Sequence, residues 1–191
     1  MHVDTSFLHT FIFIGYRGTG KTTVARKLAE RLKLPMFDSD SEIERRTGKT
    51  ITEIFAQDGE LAFRNMEELI IAEILTDSNP FVVATGGGAI LRTSTRERLR
   101  RAGRVIWLTA TPETVLHRIM NDAASQTMRP NLTSLPLQEE IVAVLKQRKP
   151  LYAETAHDII DTDLQTADDI VNDIIVSESR SKTCGQHGQR N

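Results

Sequence analysis

The sequence predicts an α/β fold in which a five-stranded parallel sheet is flanked by helices. Short apolar runs that suit buried strands alternate along the chain with longer amphipathic segments that suit helices. The first run, Phe11–Ile14, leads into a glycine-rich segment, after which Val24, Leu28 and Leu32 recur at the spacing of a helix. Open parallel sheets bind ligands at such junctions, so we predict a site just after residue 14.

The later segments keep the same alternation. Four more apolar runs predict strands at Met36-Phe37, Phe81–Ala84, Val105–Leu108 and Asp158–Asp161. Helical periodicity predicts helices at about 21–33, 60–77, 94–102, 112–121, 137–149 and 167–176, with a short one near residue 54. Residues 41–77 show only helical patterns between two strands, which predicts a helical insertion that holds a substrate.

Two segments lack such patterns. Residues 122–136 are rich in Ser, Gln, Thr and Asn and contain two prolines, so we predict a long loop that acts as a lid. Residues 178–191 carry almost no apolar side chains, and we expect them to be disordered. The rest of the 191-residue chain, residues 1–177, fits a single domain.

Composition narrows the class of protein. The formal net charge of -2 gives no electrostatic reason to expect nucleic acid or a membrane as partner. The arginines between residues 92 and 104 have no interleaved aromatics, so we interpret them as part of a solvated helix. No apolar stretch suits a membrane span or a signal peptide, and the single cysteine, Cys184, excludes an internal disulfide. We expect a cytoplasmic monomer.

The glycine-rich segment, residues 15–22, matches the phosphate-binding motif G-x-x-x-x-G-K-[ST] at every fixed position. Its glycines let backbone N–H groups point at phosphate oxygens, and the helix that follows adds positive partial charge. Lys21 can reach the β- and γ-phosphates, and the Thr22 hydroxyl can bind Mg²⁺. The motif predicts a P-loop NTPase fold. The residues expected to hold the nucleotide are Gly18, Thr19, Gly20, Lys21, Thr22 and Thr23.

Two features narrow the nucleotide chemistry. The sequence has no Asn-Lys-x-Asp guanine motif, so we expect ATP and not GTP. The third strand ends in Thr85-Gly86 and not in the aspartate that usually serves the metal. Asp38, which follows the second strand, is then the candidate carboxylate for Mg²⁺.

Several motifs, in order along the chain, resemble those of the shikimate kinases. They are Asp38-Ser39-Asp40, Gly59-Glu60-Leu61-Ala62-Phe63-Arg64, Gly86-Gly87-Gly88, Arg129-Pro130 and Arg148-Lys149-Pro150-Leu151-Tyr152. The resemblance extends from about Phe11 to Val176. It implies an enzyme of aromatic amino-acid biosynthesis that transfers the γ-phosphoryl group of ATP to the 3-hydroxyl of shikimate, giving 3-phosphoshikimate and ADP.

The resemblance also implies roles for single residues. Asp38 would serve the metal, and Asp40 would bind hydroxyls of shikimate, including the attacking one, as a general base or by positioning it. Arg64 and Arg148 would bind the shikimate carboxylate. The glycines at 86–88 would lie against the substrate.

Two further arginines are implied to contact the nucleotide. Arg129 would close over the γ-phosphate and act with Lys21 in stabilising the transferred group. Arg118 would stack on the adenine. The chain departs from the family at Asn131, where the lid motif usually continues as Arg-Pro-Leu-Leu.

Each motif also has a structural interpretation. Ser39, Asp40 or Ser41 can form an Asx turn or a helix N-cap. Arg64 can pair with Glu60 or Glu68, four residues away on the same helix. The three glycines can form an ordinary turn, Arg148 can be a basic helix end, and Arg118 can lie on a solvated helix face.

Two other functions stay open on the sequence alone. A gluconate or nucleoside monophosphate kinase would share the P-loop, but the combination of Asp40, Arg64, the triple glycine and Arg148 argues against it. A binding module without catalysis would typically have lost Lys21 or the Asp-x-Asp motif, and both are present.

Overall fold

The computed structural model describes residues 9–121 and 135–185, and within them it confirms the predicted α/β architecture. One parallel sheet has the strand order β2-β3-β1-β4-β5. The strands are β1 (Phe11–Ile14), β2 (Met36–Asp38), β3 (Val82–Ala84), β4 (Arg104–Thr109) and β5 (Asp158–Asp161). The helices are α1 (Lys21–Leu32), α2 (Ser39–Thr47), α3 (Ile51–Gln57), α4 (Gly59–Ile74), α5 (Thr93–Ala102), α6 (Pro112–Asn121), α7 (Leu137–Thr155) and α8 (Ala167–Gly185).

The central strand β1 is buried at all four residues because helices cover both faces of the sheet. Ile12 and Ile14 pack into an apolar cluster shared with α2, α3, α4, α5 and α7. Phe11 and Phe13 pack into a second cluster, shared with α1 and α8, as the two-residue period of a strand requires. Burial of each such side chain stabilises the fold by roughly 1.5–3 kcal/mol. The end of β1, where the P-loop begins, is therefore held firmly in place.

The helical insertion predicted between the second and third strands consists of α2, α3 and α4. The helix α3 begins with a capping box: the Thr50 hydroxyl accepts from the Glu53 N–H at 3.2 Å, and the Glu53 carboxylate accepts from the Thr50 N–H at 2.7 Å. The helix α2 begins directly after β2, at Ser39. The Asp-x-Asp motif is therefore a strand-to-helix junction.

Our sequence prediction ends the helix α7 too early, at residue 149. The helix continues through Pro150 to Thr155, although a proline inside a helix removes one hydrogen bond and costs about 3 kcal/mol. Tyr152, beyond the proline, is buried and donates a hydrogen bond to the carbonyl of Gly87 at 2.6 Å. Tertiary contacts of this kind offset the cost of the proline.

The last helix also extends further than the sequence predicts. We expected it to end at residue 176 and residues 178–191 to be disordered, but α8 continues to Gly185. Glu178 is buried and forms an ion pair with Arg104 at the start of β4, so a polar segment gains a tertiary anchor. Residues 186–191 lie outside the described residues.

The predicted lid falls almost entirely on residues 122–134, which lie outside the described residues, as does Arg129. The helix that was expected to follow the lid begins where predicted, at Leu137. Among the described residues, no helix is both long enough and apolar enough to span a membrane.

Candidate active site

The P-loop turns sharply after β1, and Gly15 makes that turn possible. Gly15 has φ +145°, a conformation that residues with side chains rarely adopt. A Cβ at this position would also lie only 2.5 Å from the carbonyl oxygen of Leu108 on the neighbouring strand. The first glycine of the motif therefore lets the loop cross close over β4.

Inside the loop, polar groups converge on the carbonyl oxygen of Tyr16. It accepts hydrogen bonds from the Thr19 hydroxyl at 2.8 Å and from the Lys21 ammonium group at 2.9 Å. The Lys21 side chain is buried, with 8% of the residue exposed. The structure thus holds the predicted phosphate-binding cation at the mouth of the P-loop.

The two residues predicted to hold the metal are in direct contact. The Thr22 hydroxyl donates to Oδ2 of Asp38 at 2.8 Å. The other carboxylate oxygen, Oδ1, accepts from the backbone N–H groups of Asp40 and Ser41 and so caps the helix α2. The N-cap alternative therefore holds for the motif, but the capping residue is Asp38 and not Ser39, Asp40 or Ser41.

This donor set fits a magnesium ion in part. A hydroxyl and a carboxylate oxygen are the hard ligands that Mg²⁺ prefers. No group of three or more His, Cys, Asp or Glu side chains that could hold a metal occurs among residues 9–121 and 135–185. A magnesium ion here would therefore take its remaining ligands from water and phosphate.

The Asp-x-Asp motif and the triple glycine meet at the same edge of the sheet. Ser39, which is fully buried, accepts a hydrogen bond from the N–H of Gly86 at 2.9 Å. Asp40, half-buried in the first turn of α2, therefore lies beside the glycine turn. Ser39, which the sequence analysis considered only as part of a turn or a helix cap, therefore joins the ends of β2 and β3.

Arg64 lies against the other end of the triple glycine. A Cβ on Gly88 would come within 2.1 Å of Nη1 of Arg64, so the guanidinium group rests directly on the backbone at residue 88. Only 10% of the Arg64 side chain is exposed. Its guanidinium carbon also lies 5.0 Å from the centre of the Phe63 ring and 5.9 Å from that of Phe55.

The structural alternative for Arg64 holds only in part. Its guanidinium group pairs with Glu60 at 3.2 Å and with the buried Glu67 at 2.7 Å. The other residue considered, Glu68, pairs instead with Arg92. Two carboxylates thus hold the guanidinium group in place while it faces the glycine turn.

Arg148 reaches the glycine turn from the helix α7. Its Nη1 donates to the carbonyl oxygen of Gly87 at 3.0 Å, and the hydroxyl of Tyr152 donates to the same oxygen at 2.6 Å. Arg148 is 7% exposed, so it is not the solvated helix end of the structural alternative. Arg64 and Arg148 therefore flank successive glycines of one turn, and this turn is not an ordinary surface turn.

Arg118 lies beside the P-loop and not on a solvated face. Its guanidinium group donates to the carbonyl oxygen of Gly18 at 3.3 Å, and to the hydroxyl and carbonyl oxygens of Thr162, each at 2.8 Å. The arginine thus connects the P-loop to the segment after β5.

A cavity of about 490 Å³ lies beside the P-loop, apart from most of the predicted site residues. Its walls come from β4, β5 and α7, and they include Trp107, Val142 and Ile159. Of the predicted site residues, only Thr19 lines it. Apart from Thr19, the described residues predicted to bind nucleotide and substrate therefore lie outside this cavity.

The comparison of the whole chain with known protein families decides its family. Residues 17–177 match the sequence profile of shikimate kinase, which is well over half of the chain. This chain belongs to the shikimate kinase family.

Individual shikimate kinases agree with this. The chain is 42% identical to the shikimate kinase of Symbiobacterium thermophilum over 164 residues, which covers 86% of this chain and 92% of that protein. It is 39% identical to the shikimate kinase of Rhodopirellula baltica over 161 residues, or 84% of this chain and 86% of that protein. Members of the family use ATP as co-substrate.

A solved structure shows the same architecture. The shikimate kinase from Acinetobacter baumannii, solved in complex with shikimate, superimposes with a TM-score of 0.85. The two chains are 38% identical, and the match covers 93% of this chain and 96% of that one. The strand order and the crossing helices of this chain are therefore those of a shikimate kinase.

The sequence motifs of shikimate kinases gave no signal for one polar contact in the site. Arg17, a variable position of the P-loop motif, pairs with Glu140 of α7 at 3.0 Å, and the Glu140 side chain is fully buried. Burial raises the pKa of the neighbouring Tyr16 hydroxyl, and the charge of Arg17 opposes that rise. Local sequence patterns cannot reveal such a pair, because its members are 123 positions apart in the sequence.

Proposed function

We propose that this chain is an ATP-dependent kinase that phosphorylates the 3-hydroxyl of shikimate. The observation that carries the proposal is the pair of buried arginines on one glycine turn: Arg64 rests on Gly88, and Arg148 bonds to the carbonyl of Gly87. Two guanidinium groups at one place suit a carboxylate, which accepts bidentate hydrogen bonds from arginine. The relative from Acinetobacter baumannii, whose structure contains shikimate, supports the same acceptor.

The nucleotide would bind along the P-loop. Backbone N–H groups from Gly18 to Thr23 surround the phosphates, Lys21 neutralises the β- and γ-phosphates, and Arg118 stacks on the adenine. Lys21 would exchange its present hydrogen bond to the Tyr16 carbonyl for one to a phosphate oxygen. A Mg²⁺ ion held by Thr22 and Asp38 would supply charge neutralisation to the phosphates.

The transfer itself would depend mainly on positioning. Asp40 would accept a hydrogen bond from the attacking hydroxyl, as a general base or by orienting it. Arg64 and Arg148, with the glycines at 86–88, would fix the acceptor so that this hydroxyl meets the γ-phosphoryl group. We assign to Arg129 the role of closing over the γ-phosphate and excluding water, which would otherwise accept the phosphoryl group.

We also propose the pathway, the compartment and the oligomeric state of the enzyme. We place the reaction in aromatic amino-acid biosynthesis in the cytoplasm, with residues 1–177 as one kinase domain that acts as a monomer without nucleic acid or membrane partners. The principal rival is a kinase with another small acceptor. Within residues 9–121 and 135–185 no contact favours that rival, and nucleoside monophosphates have no carboxylate for the two arginines to bind.

The test is an assay of ADP release from ATP and Mg²⁺, with and without shikimate. We expect release to depend strongly on shikimate, and we expect Arg64→Ala to raise the KM for shikimate at least tenfold because it removes one half of the carboxylate clamp. Arg98→Ala, at an exposed position of α5, is the matched control and should leave the KM unchanged. Release that ignores shikimate would reject the proposed acceptor and leave only the P-loop assignment.

A further inference from the structure

A buried ion pair joins the P-loop to the helix that carries Arg148. Nη2 of Arg17 lies 3.0 Å from Oε1 of Glu140. The Glu140 side chain is 0% exposed and that of Arg17 is 10% exposed. The contact therefore connects, away from solvent, the loop proposed to bind ATP and the helix proposed to bind the shikimate carboxylate.

Glu140 and Arg148 lie on the same helix, so a contact at Glu140 affects where Arg148 lies. Glu140 lies in the first turn of α7, and Arg148 lies eight residues later, roughly 12 Å along the same helix axis. The first turn of α7 has no side-chain N-cap, so Arg17 provides a tertiary anchor at this end. A shift of this anchor would move the guanidinium group of Arg148 with the helix.

The backbone of Arg17 also faces the glycine turn. A Cβ on Gly87 would lie 3.4 Å from the backbone nitrogen of Arg17 and 3.3 Å from the carbonyl oxygen of Gly15. The same Gly87 accepts the hydrogen bond from Arg148. Arg17 therefore contacts both parts of the structure that position Arg148. Its backbone lies against the glycine turn, and its side chain pairs with α7.

Stability alone does not account for a charge pair at this place. Desolvation of two buried charges costs several kcal/mol, and apolar residues of similar volume usually stabilise a fold as well or better. The surroundings are suited to such residues, since Tyr16, Ile141 and Val144 form an apolar cluster next to the pair. What an apolar pair would lack is the fixed distance and direction of a charge-assisted hydrogen bond.

We propose that Arg17 and Glu140 are positioning residues that set Arg148 for the shikimate carboxylate. The inference rests on the proposed function, because it needs shikimate as the acceptor. The ion pair fixes the start of α7 against the P-loop, and α7 carries Arg148 to the carbonyl of Gly87. Loss of the pair weakens shikimate binding and leaves the phosphoryl transfer of bound shikimate nearly intact.

The decisive variant replaces both members, Arg17→Met with Glu140→Leu. Both charges of the ion pair are then replaced by apolar side chains, so we expect its thermal midpoint to stay close to that of the wild type. We expect the KM for shikimate to rise about tenfold, with kcat and the KM for ATP changed by no more than about twofold. A stable double variant with the KM of the wild type would overturn the proposal.

Single substitutions at Arg17 test whether its positive charge is needed to position Arg148. Arg17→Lys keeps a cation that can make the one N···O contact present here, and it should hold the KM for shikimate within about threefold of the wild type. Arg17→Met removes the cation that faces the buried Glu140 carboxylate, so it should lower the thermal midpoint and raise the KM together. An Arg17→Lys variant with the same KM as Arg17→Met would contradict a role for the ion pair.

A control ion pair lies at the opposite end of the strands, where Arg104 pairs with the buried Glu178 and also with the partly exposed Asp158. The double change Arg104→Met with Glu178→Leu should leave the KM for shikimate unchanged, and an equal rise there would overturn a specific role for Arg17 and Glu140. Wild-type turnover is measured first. Failure of the wild type to use shikimate would reject the proposed function and this inference together, whereas an unchanged KM in an active double variant rejects the inference alone.

Discussion

Gly88 and Arg64 fit together because residue 88 has no side chain. A Cβ there would lie 2.1 Å from Nη1 and 2.4 Å from Cζ of the arginine. The backbone of Gly88 has φ -103°, which any residue can adopt, so this position needs glycine for space and not for its conformation. The contact places the guanidinium group against the turn where the substrate carboxylate is proposed to bind.

Gly88→Ala should therefore affect substrate binding more than folding. The guanidinium group can shift only against its ion pairs with Glu60 and Glu67, so we expect the free energy of unfolding to fall by about 1–2 kcal/mol. The displaced guanidinium group should raise the KM for shikimate by roughly ten- to a hundredfold, with the KM for ATP unchanged. Steady-state kinetics and chemical denaturation measure the two effects, and a large loss of stability with an unchanged KM would show that the contact is structural.

Asp38 has two roles that a pair of substitutions can separate. Asp38→Asn keeps an N-cap for α2, so stability should fall by less than about 0.5 kcal/mol. It removes the charge proposed to serve Mg²⁺, so kcat should fall by about a hundredfold and half-maximal activity should require more Mg²⁺.

Asp38→Ala is the comparison. It loses the cap as well and should be less stable than Asp38→Asn by about 1 kcal/mol, with a similar kcat. Titration of activity with Mg²⁺ and urea denaturation measure these effects. If Asp38→Asn kept the activity and Mg²⁺ dependence of the wild type, Asp38 would be a helix cap only.

Arg100 explains part of the arginine cluster near α5. Its Nη1 donates to the carbonyls of Glu154, Thr155 and Ala156, at 2.8, 3.1 and 3.1 Å, and so caps the end of α7. Arg100→Ala should lower the free energy of unfolding by about 1 kcal/mol. Arg98→Ala, on the same helix, should change it by less than about 0.5 kcal/mol. Equal effects of the two substitutions would contradict the capping role.

His157 should make stability depend on pH. Its Nδ1 accepts the N–H of Val105 at 2.9 Å, which requires this nitrogen to be unprotonated. Burial, with help from Arg100 and Arg104 and against the opposing effect of Asp158, lowers the pKa of His157 below its ordinary value of 6.5. The unfolded chain therefore takes up the proton first as the pH falls.

The stabilising contribution of His157 is thus complete above about pH 6.5 and is lost as the pH falls from there towards the lowered pKa of the folded state. Denaturation at pH 7.5 and at pH 5.5 measures the loss. His157→Asn offers an uncharged acceptor near the same place and should flatten the pH dependence over this interval. An unchanged slope in that variant would assign the effect to other groups.

Local patterns in the sequence predict most of the fold. The sheet, the order of its elements and the helical insertion follow from short apolar runs and helical periodicity, because each depends on neighbours in sequence. The motifs also indicate that Thr22 and Asp38 share one site, and the two side chains are in contact in the structure. The start of α2 at Ser39, with Asp38 as the cap, is earlier than the helical pattern from residue 41 indicates.

What the sequence could not predict depends on contacts between distant residues. Pro150 indicates a helix end, yet the helix continues beyond it, where the hydrogen bond from Tyr152 to the carbonyl of Gly87 stabilises it. The polar composition after residue 177 indicates disorder, yet Glu178 forms an ion pair with Arg104. The choice of Glu67 over Glu68 as the partner of Arg64 depends on which face of α4 meets the glycine turn.

The most direct test of the central proposal is a comparison of acceptors. The wild-type protein is assayed with ATP and Mg²⁺ against shikimate, gluconate and a set of nucleoside monophosphates, and kcat/KM is measured for each. Nucleoside monophosphates lack the carboxylate proposed to bind Arg64 and Arg148, and gluconate carries its carboxylate on a flexible open chain and not on a rigid ring. Shikimate should therefore exceed every other acceptor by at least a hundredfold. A higher kcat/KM for gluconate or for any nucleoside monophosphate would contradict shikimate as the substrate.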